Sequence, residues 1–355
     1  MAFPDQILPA FQCARIIKRL FPGIHLTMGG TFVSCHMRTI TEPGFFDFVD
    51  SFILDDGEIP LERLCAELSN PAPDLTQVPG LIYRDDAAIK VNEPTSDCNT
   101  EYLSAPDYSV FPLDRYLMPV DKMALLFRLS KGCYWGKCSF CKTKLSFIRD
   151  YRQPAAEQLY DQLKKMVSCT GVHVIHFTDD SADPEILELI ALRMVRDKLN
   201  IRWAANVRID RRLTMERLLL FKQAGCHGLY VGLESCNDRI LKLMRKGTKV
   251  TLIREILSRM SWSGINIYSY MIVGFPSETE EEARDSFALV KEFIERGDIR
   301  SAIYNVFKPV FGCVAEFAEI RDLGGLDRRE TGSDTAYLAI HVIRHVAAAC
   351  TGVVY

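Results

Sequence analysis

The sequence lacks several features that would assign it to a class at once. Its 43 basic and 46 acidic residues leave a formal net charge of only -3, so charge gives no basis for nucleic-acid binding. No apolar run approaches the roughly 20 residues that cross a bilayer, and the chain shows no signal peptide. Short-period repeats and low-complexity segments are also missing. We therefore expect a cytoplasmic α/β protein with no nucleic-acid or membrane partner.

The twelve cysteines do not form a disulfide scaffold, because most are scattered along the chain. They also lack the second pair of ligands that a structural zinc site needs. Three of them, however, lie close together at Cys133, Cys138 and Cys141, directly after an apolar run that predicts a buried strand. Three thiolates on one loop leave a fourth position open. This pattern suits a four-iron cluster, because soft sulfur ligands favour iron–sulfur chemistry.

Apolar periodicity predicts two α/β regions. From residue 123, strands are predicted at 124–130, 172–178, 201–207, 227–233, 265–273 and 301–307. Helices are predicted between them, at 154–168, 184–198, 214–224, 237–260 (in two pieces) and 279–296. Six strands alternating with helices curl into a partial barrel when the crossovers are right-handed. Ligands of such sheets collect at the carboxyl ends of the strands, which is where the cysteine loop lies.

The first part of the chain predicts a smaller unit. A helix at 8–20, strands at 24–28 and 48–54, and a helix at 59–68 alternate, which favours parallel pairing. Prolines punctuate 71–122, so we expect a linker there with a hairpin inside 80–91. The predicted domains are thus 1–70, the linker 71–122, the barrel 123–311 and a C-terminal tail 312–355 with one helix.

Polar residues follow the second and third barrel strands. The carboxylates of Asp179 and Asp180 are suited to accept hydrogen bonds from a ligand ammonium group. The alternative is an N-terminal capping cluster on the next helix. Arg208 is suited to pair with a ligand carboxylate through two parallel hydrogen bonds. Its alternative is a salt bridge to Asp210 or Asp180.

The fourth and fifth strands end in further candidates. Glu234, followed by Ser235, stands where a carboxylate suits the two hydroxyls of a ribose. Ile272, Val273 and Gly274 close the fifth strand, and the glycine lets backbone approach a planar ring. Helix capping accounts for the acidic residues that follow it.

The cysteine loop resembles the cluster-binding signature of the radical S-adenosylmethionine (radical SAM) superfamily. That signature is Cys, three residues, Cys, one residue, an aromatic residue and Cys, and Phe140 stands at the aromatic position. The sequence departs from it by one residue, since four residues separate Cys133 from Cys138. Gly136 lets the extra residue bulge. Two features resemble one branch of the superfamily, in which a cobalamin-binding domain of the doubly wound α/β type stands at the N-terminus. They are the sequence Gly-Cys-Tyr-Trp-Gly-Lys-Cys and the segment 1–70.

The resemblance implies a fold and a function. It implies a six-strand partial barrel in which the three cysteines hold a 4Fe–4S cluster, while S-adenosylmethionine binds to the open iron and is cleaved reductively to start radical chemistry. It also implies that Asp179 and Asp180 hold the methionine amino group, that Glu234 and Ser235 bind the ribose, and that 272–274 flank adenine. The partners would be a small-molecule or peptide substrate and a reductant such as flavodoxin or ferredoxin.

Two alternatives stay open. One is the barrel part of a cobalamin-dependent methyltransferase or cyclase. The other is a non-catalytic module that binds metal or a partner. The cobalt-ligating pattern Asp-x-His-x-x-Gly is absent from the sequence, so we expect no competent cobalamin site in this chain. Half of a doubly wound sheet exposes an edge strand, so we expect either that the sequence is a fragment or that the segment docks on the barrel or on a partner that completes it.

Overall fold

A computed structural model describes residues 4–86, 88–95, 105–141 and 150–307. The described residues fall into two compact units, the first up to residue 95 and the second from residue 105. The predicted C-terminal tail 312–355 lies outside the described residues. Within them, no helix combines the length and the apolar character needed to cross a membrane.

The first unit is a four-stranded sheet with three helices in its described part. Strands β1 and β2 are parallel, whereas β2–β3 and β3–β4 are antiparallel. Phe52 and Ile82 lie in its apolar core and are fully buried. The elements in chain order are α1 (Ile7–Leu20), β1 (Thr27–Met28), α2 (Thr31–His36), β2 (Ser51–Ile53), α3 (Glu58–Leu68), β3 (Leu81–Asp85) and β4 (Ala88–Val91).

The structure corrects the predicted boundary of this unit. The β3–β4 hairpin, which we expected inside a linker, pairs with β2 and belongs to the same sheet. One edge of β2 is therefore covered by β3. Leu81 and Ile82 explain this, because both are fully buried, which a surface linker would not provide.

The second unit contains the predicted alternation of strands and helices. Its six strands are all parallel and follow the order β5-β6-β7-β8-β9-β10. The elements are β5 (Ala124–Phe127), α4 (Ala156–Thr170), β6 (Val174–Phe177), α5 (Pro184–Arg196), β7 (Arg202–Arg208), α6 (Met215–Gln223), β8 (Cys226–Glu234), α7 (Asp238–Leu243), α8 (Val250–Trp262), β9 (Asn266–Val273), α9 (Glu280–Glu295) and β10 (Ser301–Val306). The predicted fold class is confirmed, although β5 ends three residues earlier than expected.

Side chains alternate across this sheet, as strand geometry requires. Alternate residues such as Phe177, Trp203 and Leu229 lie in the main apolar core together with residues of the helices. Burying each such side chain contributes about 1.5–3 kcal/mol. The register sets Arg208 beside Gly232, and Gly232 beside Tyr270. The carboxyl ends of β7, β8 and β9 therefore lie side by side, in the order the alternation predicts.

Candidate functional site

The loop after β5 is anchored by a buried carboxylate. Asp179 accepts a hydrogen bond from the Leu129 amide at 3.1 Å and another from the Ser130 hydroxyl at 2.5 Å. Its side chain is fully buried, and burial raises the pKa of its carboxyl group. Both oxygens of Asp179 are thus used to hold the loop. The ligand-binding role expected for Asp179 stays a prediction, beside this anchoring role.

Asp180 points to a different partner. Its carboxylate forms an ion pair with Arg128 at 3.2 Å, and both side chains are partly exposed. The capping role that we weighed for this segment falls instead to Asp183, which accepts a hydrogen bond from the Glu185 amide at the start of α5. The assignment of Asp180 to a ligand ammonium group stays a prediction.

The cysteine loop turns sharply at two glycines. Gly132 and Gly136 have φ angles of 77° and 55°, values that favour glycine. The Cys141 amide donates to the Cys138 carbonyl at 3.2 Å, and Cys133, Cys138 and Cys141 are all half-buried. The backbone of Gly136 agrees with its expected use in accommodating the longer spacer.

The spacer between the cysteines is docked on the segment that follows β8. The Trp135 indole donates to the Arg245 carbonyl at 2.9 Å. Ser139 donates through its amide to the Met244 carbonyl at 2.9 Å, and through its hydroxyl to the Leu243 carbonyl at 2.8 Å. These bonds join the loop after β5 to the end of α7, more than 100 residues later in the chain.

Gly247 makes room for the indole. A Cβ atom on Gly247 would lie 2.1 Å from the Trp135 ring, and the φ angle of Gly247 is +73°. Both the space and the backbone conformation therefore call for glycine at this position.

Arg208 lies at the centre of this contact. Its guanidinium group stands 4.0 Å from the Trp135 ring centroid, within the range of a cation–π interaction, and it donates to the Lys246 carbonyl. The two carboxylates that we considered as salt-bridge partners of Arg208 pair with other cations. Asp210 binds Arg212 at 2.9 Å, and Asp180 binds Arg128. Arg208 is only 8% exposed.

Glu234 forms a buried ion pair that the sequence did not reveal. The Lys246 ammonium lies 2.8 Å from Oε1 of Glu234, and the two side chains are 8% and 11% exposed. Burial lowers the pKa of Lys246, but the negative charges of the Glu234 carboxylate and of an ionised Cys138 raise it, and the net shift is upward. Lys246 is therefore charged, and its ammonium also stands 5.6 Å from the Phe140 ring centroid.

The same charged groups act on a cysteine. Burial raises the pKa of the Cys138 thiol, and Glu234 and Cys133 raise it further, so the net shift is upward. Lys246 and Arg208 act against this shift, in the direction of the thiolate that binds metal. Cys138 thus lies in the neighbourhood of Glu234 and Arg208, as the carboxyl-end arrangement predicts.

The chemistry of the three thiols is compatible with iron–sulfur ligation, because soft thiolates are the usual ligands of such clusters. Across 4–86, 88–95, 105–141 and 150–307, no three His, Cys, Asp or Glu side chains are grouped closely enough to hold one metal ion.

The fifth strand supplies one side chain to this region. Ile272 and Phe140 both pack against a small apolar cluster that contains Met244 and Phe275. Gly274 has a φ angle of +77°, and its amide donates to Glu278 at 2.7 Å. The ligand-lining roles of Phe140, Ile272 and Gly274 stay predictions.

Two predicted ligand residues face elsewhere. Val273 packs with Ala283 of α9, because neighbouring residues of a strand face opposite sides. Ser235 is fully buried, and its hydroxyl lies 3.3 Å from that of Ser286 and accepts from the Asn237 amide. Val273 and Ser235 thus have protein partners, and their assignment to the ligand site stays a prediction.

Sequence analysis assigned no individual role to Lys246, Trp135 or Gly247. Trp135 stands inside the unusual spacer, and a large aromatic side chain is a signal of burial. Lys246 and Gly247 end the segment 237–247, which as a whole resembles the ribose-binding element of the family, but a lysine after a surface helix is usually solvated.

Comparison with protein families and curated proteins identifies relatives. Residues 127–290 match the family model of the radical SAM superfamily. An uncharacterized methyltransferase of Pyrococcus horikoshii is 26% identical over 308 residues, which cover 85% of this chain and 64% of the relative.

Comparison with solved structures supports the fold. The cobalamin-dependent S-adenosylmethionine radical enzyme OxsB, with aqua-cobalamin and S-adenosylmethionine bound, superimposes with a TM-score of 0.74 at 16% identity, over 93% of this chain and 53% of that one. The radical S-adenosylmethionine methyltransferase TsrM of Kitasatospora setae, with cobalamin and a [4Fe-4S] cluster bound, gives 0.72 at 19% identity, over 88% and 62%. The chain thus spans less than two thirds of the length of these relatives.

Proposed function

We propose that the chain, whose residues 127–290 match the family model of the radical SAM superfamily, binds a 4Fe–4S cluster and S-adenosylmethionine. Cys133, Cys138 and Cys141 would be the cluster ligands. When bound, these groups supply the one-electron reductive cleavage of S-adenosylmethionine that starts radical chemistry on a substrate. The substrate would be a small molecule or a peptide, and an external reductant would deliver the electron.

One observation carries the proposal. The Lys246 ammonium lies 2.8 Å from the Glu234 carboxylate, and Arg208 donates a hydrogen bond to the Lys246 carbonyl. The charges of these groups act on the half-buried Cys138 thiol, whose pKa they shift. Three of these four groups were chosen from the sequence as candidates for one ligand site. These groups lie near the carboxyl ends of parallel strands, and ligands bind at that end of sheets of this kind.

Each side chain would contact a different part of S-adenosylmethionine. Glu234 would accept hydrogen bonds from the ribose hydroxyls, which donate well to a buried carboxylate. Arg208 would attract the methionine carboxylate, for which a guanidinium has the matching geometry. Ile272 and Gly274 would flank the adenine. Phe140 would shield the 4Fe–4S cluster from water, because it packs against a group of apolar side chains.

A methyltransferase is the second candidate. The Pyrococcus horikoshii relative is named a methyltransferase, and the matched TsrM structure is a methyltransferase with bound cobalamin. The absence of Asp-x-His-x-x-Gly still predicts that this chain by itself has no competent cobalamin site. Recovery of bound cobalamin from the purified chain would contradict that prediction.

Anaerobic reconstitution with iron and sulfide tests the main proposal. We expect about four irons per chain and release of 5′-deoxyadenosine when a reductant and S-adenosylmethionine are added. The Cys138→Ala variant should lose the cluster, since the ligand must be a thiolate. Cys169→Ala is the matched control, because Cys169 is exposed on α4. Incorporation of zinc in place of iron would support the non-catalytic module instead.

A further inference from the structure

Lys246 is buried to an extent that is unusual for lysine. It is 7% exposed, whereas lysines are almost never buried without a partner. Its ammonium reaches Glu234 at 2.8 Å across the face of Gly232. A Cβ atom on Gly232 would lie 2.4 Å from Glu234 Oε1 and 3.0 Å from Lys246 Nζ. The ion pair therefore lies directly against the backbone of β8.

Lys246 also belongs to the segment on which the cysteine loop is docked. The carbonyl of the neighbouring Arg245 accepts a hydrogen bond from the Trp135 indole, and the carbonyl of Lys246 accepts one from Arg208. Its ammonium stands over the Phe140 ring. Lys246 thus contacts the ligand-site carboxylate through its side chain and the surroundings of the cysteines through both its side chain and its backbone.

The backbone conformation of Glu234 suggests that residues outside β8 hold it in place. Its φ angle is +66°, in the left-handed region that a residue with a side chain rarely adopts, and the β8–β9 register is irregular between Gly232 and Glu234. Such strained residues cluster at functional sites and persist only where the surroundings hold them. The bond from Lys246 uses one carboxylate oxygen. A carboxylate has about four acceptor positions, so capacity for two hydroxyls remains.

We infer that Lys246 is a positioning residue that orients Glu234 for the ribose hydroxyls of a bound 5′-deoxyadenosyl group, and that it ties this carboxylate to the loop of metal ligands. The inference rests on the proposed function and deepens it. It separates the two halves of S-adenosylmethionine: Lys246 acts on the nucleoside half through Glu234, while the methionine half is left to the cluster and Arg208.

Equilibrium dialysis of the oxidised, cluster-loaded chain tests this with two probes, 5′-deoxyadenosine and L-methionine. The variants are Lys246→Met, Lys246→Arg, Glu234→Gln and the double variant Glu234→Gln/Lys246→Met. Lys242→Met is the matched control, because Lys242 is exposed on α7. Iron content and thermal melting are measured for each variant.

The expected result is a selective loss. Lys246→Met should weaken 5′-deoxyadenosine binding about tenfold or more, the size of one charge-assisted hydrogen bond, and leave L-methionine binding within about twofold. Lys246→Arg should restore part of the loss. The double variant should bind no more weakly than Glu234→Gln alone, because a residue that acts through another adds nothing once that one is removed.

Other outcomes overturn the inference. Unchanged 5′-deoxyadenosine binding in Lys246→Met would do so, as would additive losses in the double variant. Selective loss of L-methionine would show that Lys246 touches the methionine half instead. If Lys246→Met fails to load iron, the 5′-deoxyadenosine affinities of Glu234→Gln and the double variant still decide. In the double variant neither side chain of the pair is charged, so no unpaired charge is left buried. If the unmodified chain binds neither iron nor the probes, the proposed function itself fails.

Discussion

Replacing Gly247 by alanine strains the contact between the cysteine loop and the segment after α7. The added Cβ would lie 2.1 Å from the Trp135 ring, and the backbone has φ +73°. A side chain in this left-handed conformation costs about 1–2 kcal/mol, and forcing an atom into a filled space costs a further 1–3 kcal/mol or so. The sum is about 2–5 kcal/mol, which the loop can lower by releasing the indole.

Release of the indole should reach the cysteines. Trp135 would lose its bond to the Arg245 carbonyl and its stacking on Arg208. Trp135 is also the second residue after Cys133. We therefore expect Gly247→Ala to fold with reduced stability and to load clearly less iron than the unmodified chain. Urea denaturation measures the first effect, and iron analysis after anaerobic reconstitution measures the second.

Gly171→Ala is the matched control for this substitution. Gly171 has φ +66°, but a Cβ there would meet nothing within 4 Å. It should therefore lose only the 1–2 kcal/mol or so of backbone strain and keep its full iron content. The reasoning is refuted if Gly247→Ala is no less stable than Gly171→Ala, or if the two load iron equally.

Two further predictions concern buried and charged carboxylates of the second unit. Asp179→Ala leaves a buried amide and a buried hydroxyl unpaired, so it should lower the free energy of unfolding by about 2–4 kcal/mol. In the same urea titration, Asp180→Ala should cost about 1 kcal/mol or less, because its ion pair is exposed, and equal losses would contradict the anchoring role. The hydrogen bond from Arg239 lowers the pKa of Glu282 from 4.5 to about 2, so the pair stabilises the folded state above pH 4.5 and its contribution is lost as pH falls through 2. The stability difference between the unmodified chain and Glu282→Gln should therefore shrink from about 1 kcal/mol at pH 6 as the pH is lowered, and a difference that stays constant would contradict this.

Much of the fold and part of the site followed from local pattern. Apolar runs separated by helical segments predicted the six parallel strands of the second unit, because that periodicity is set by which face of each element is buried. The same alternation brought Cys138, Arg208, Glu234 and Ile272 to one end of the sheet. Parallel strands all place their carboxyl ends at one edge, so residue order alone was enough to group them.

The tertiary structure decided which partners these side chains have. Strand pleating turned Val273 towards α9, and close packing paired Ser235 with Ser286 and Asp179 with Ser130, 51 and 49 residues away in the chain. It also paired Lys246 with Glu234, and docked Trp135 on a segment more than 100 residues away. Such contacts depend on three-dimensional proximity between distant parts of the chain, whereas periodicity reports only which face of its own element a residue occupies.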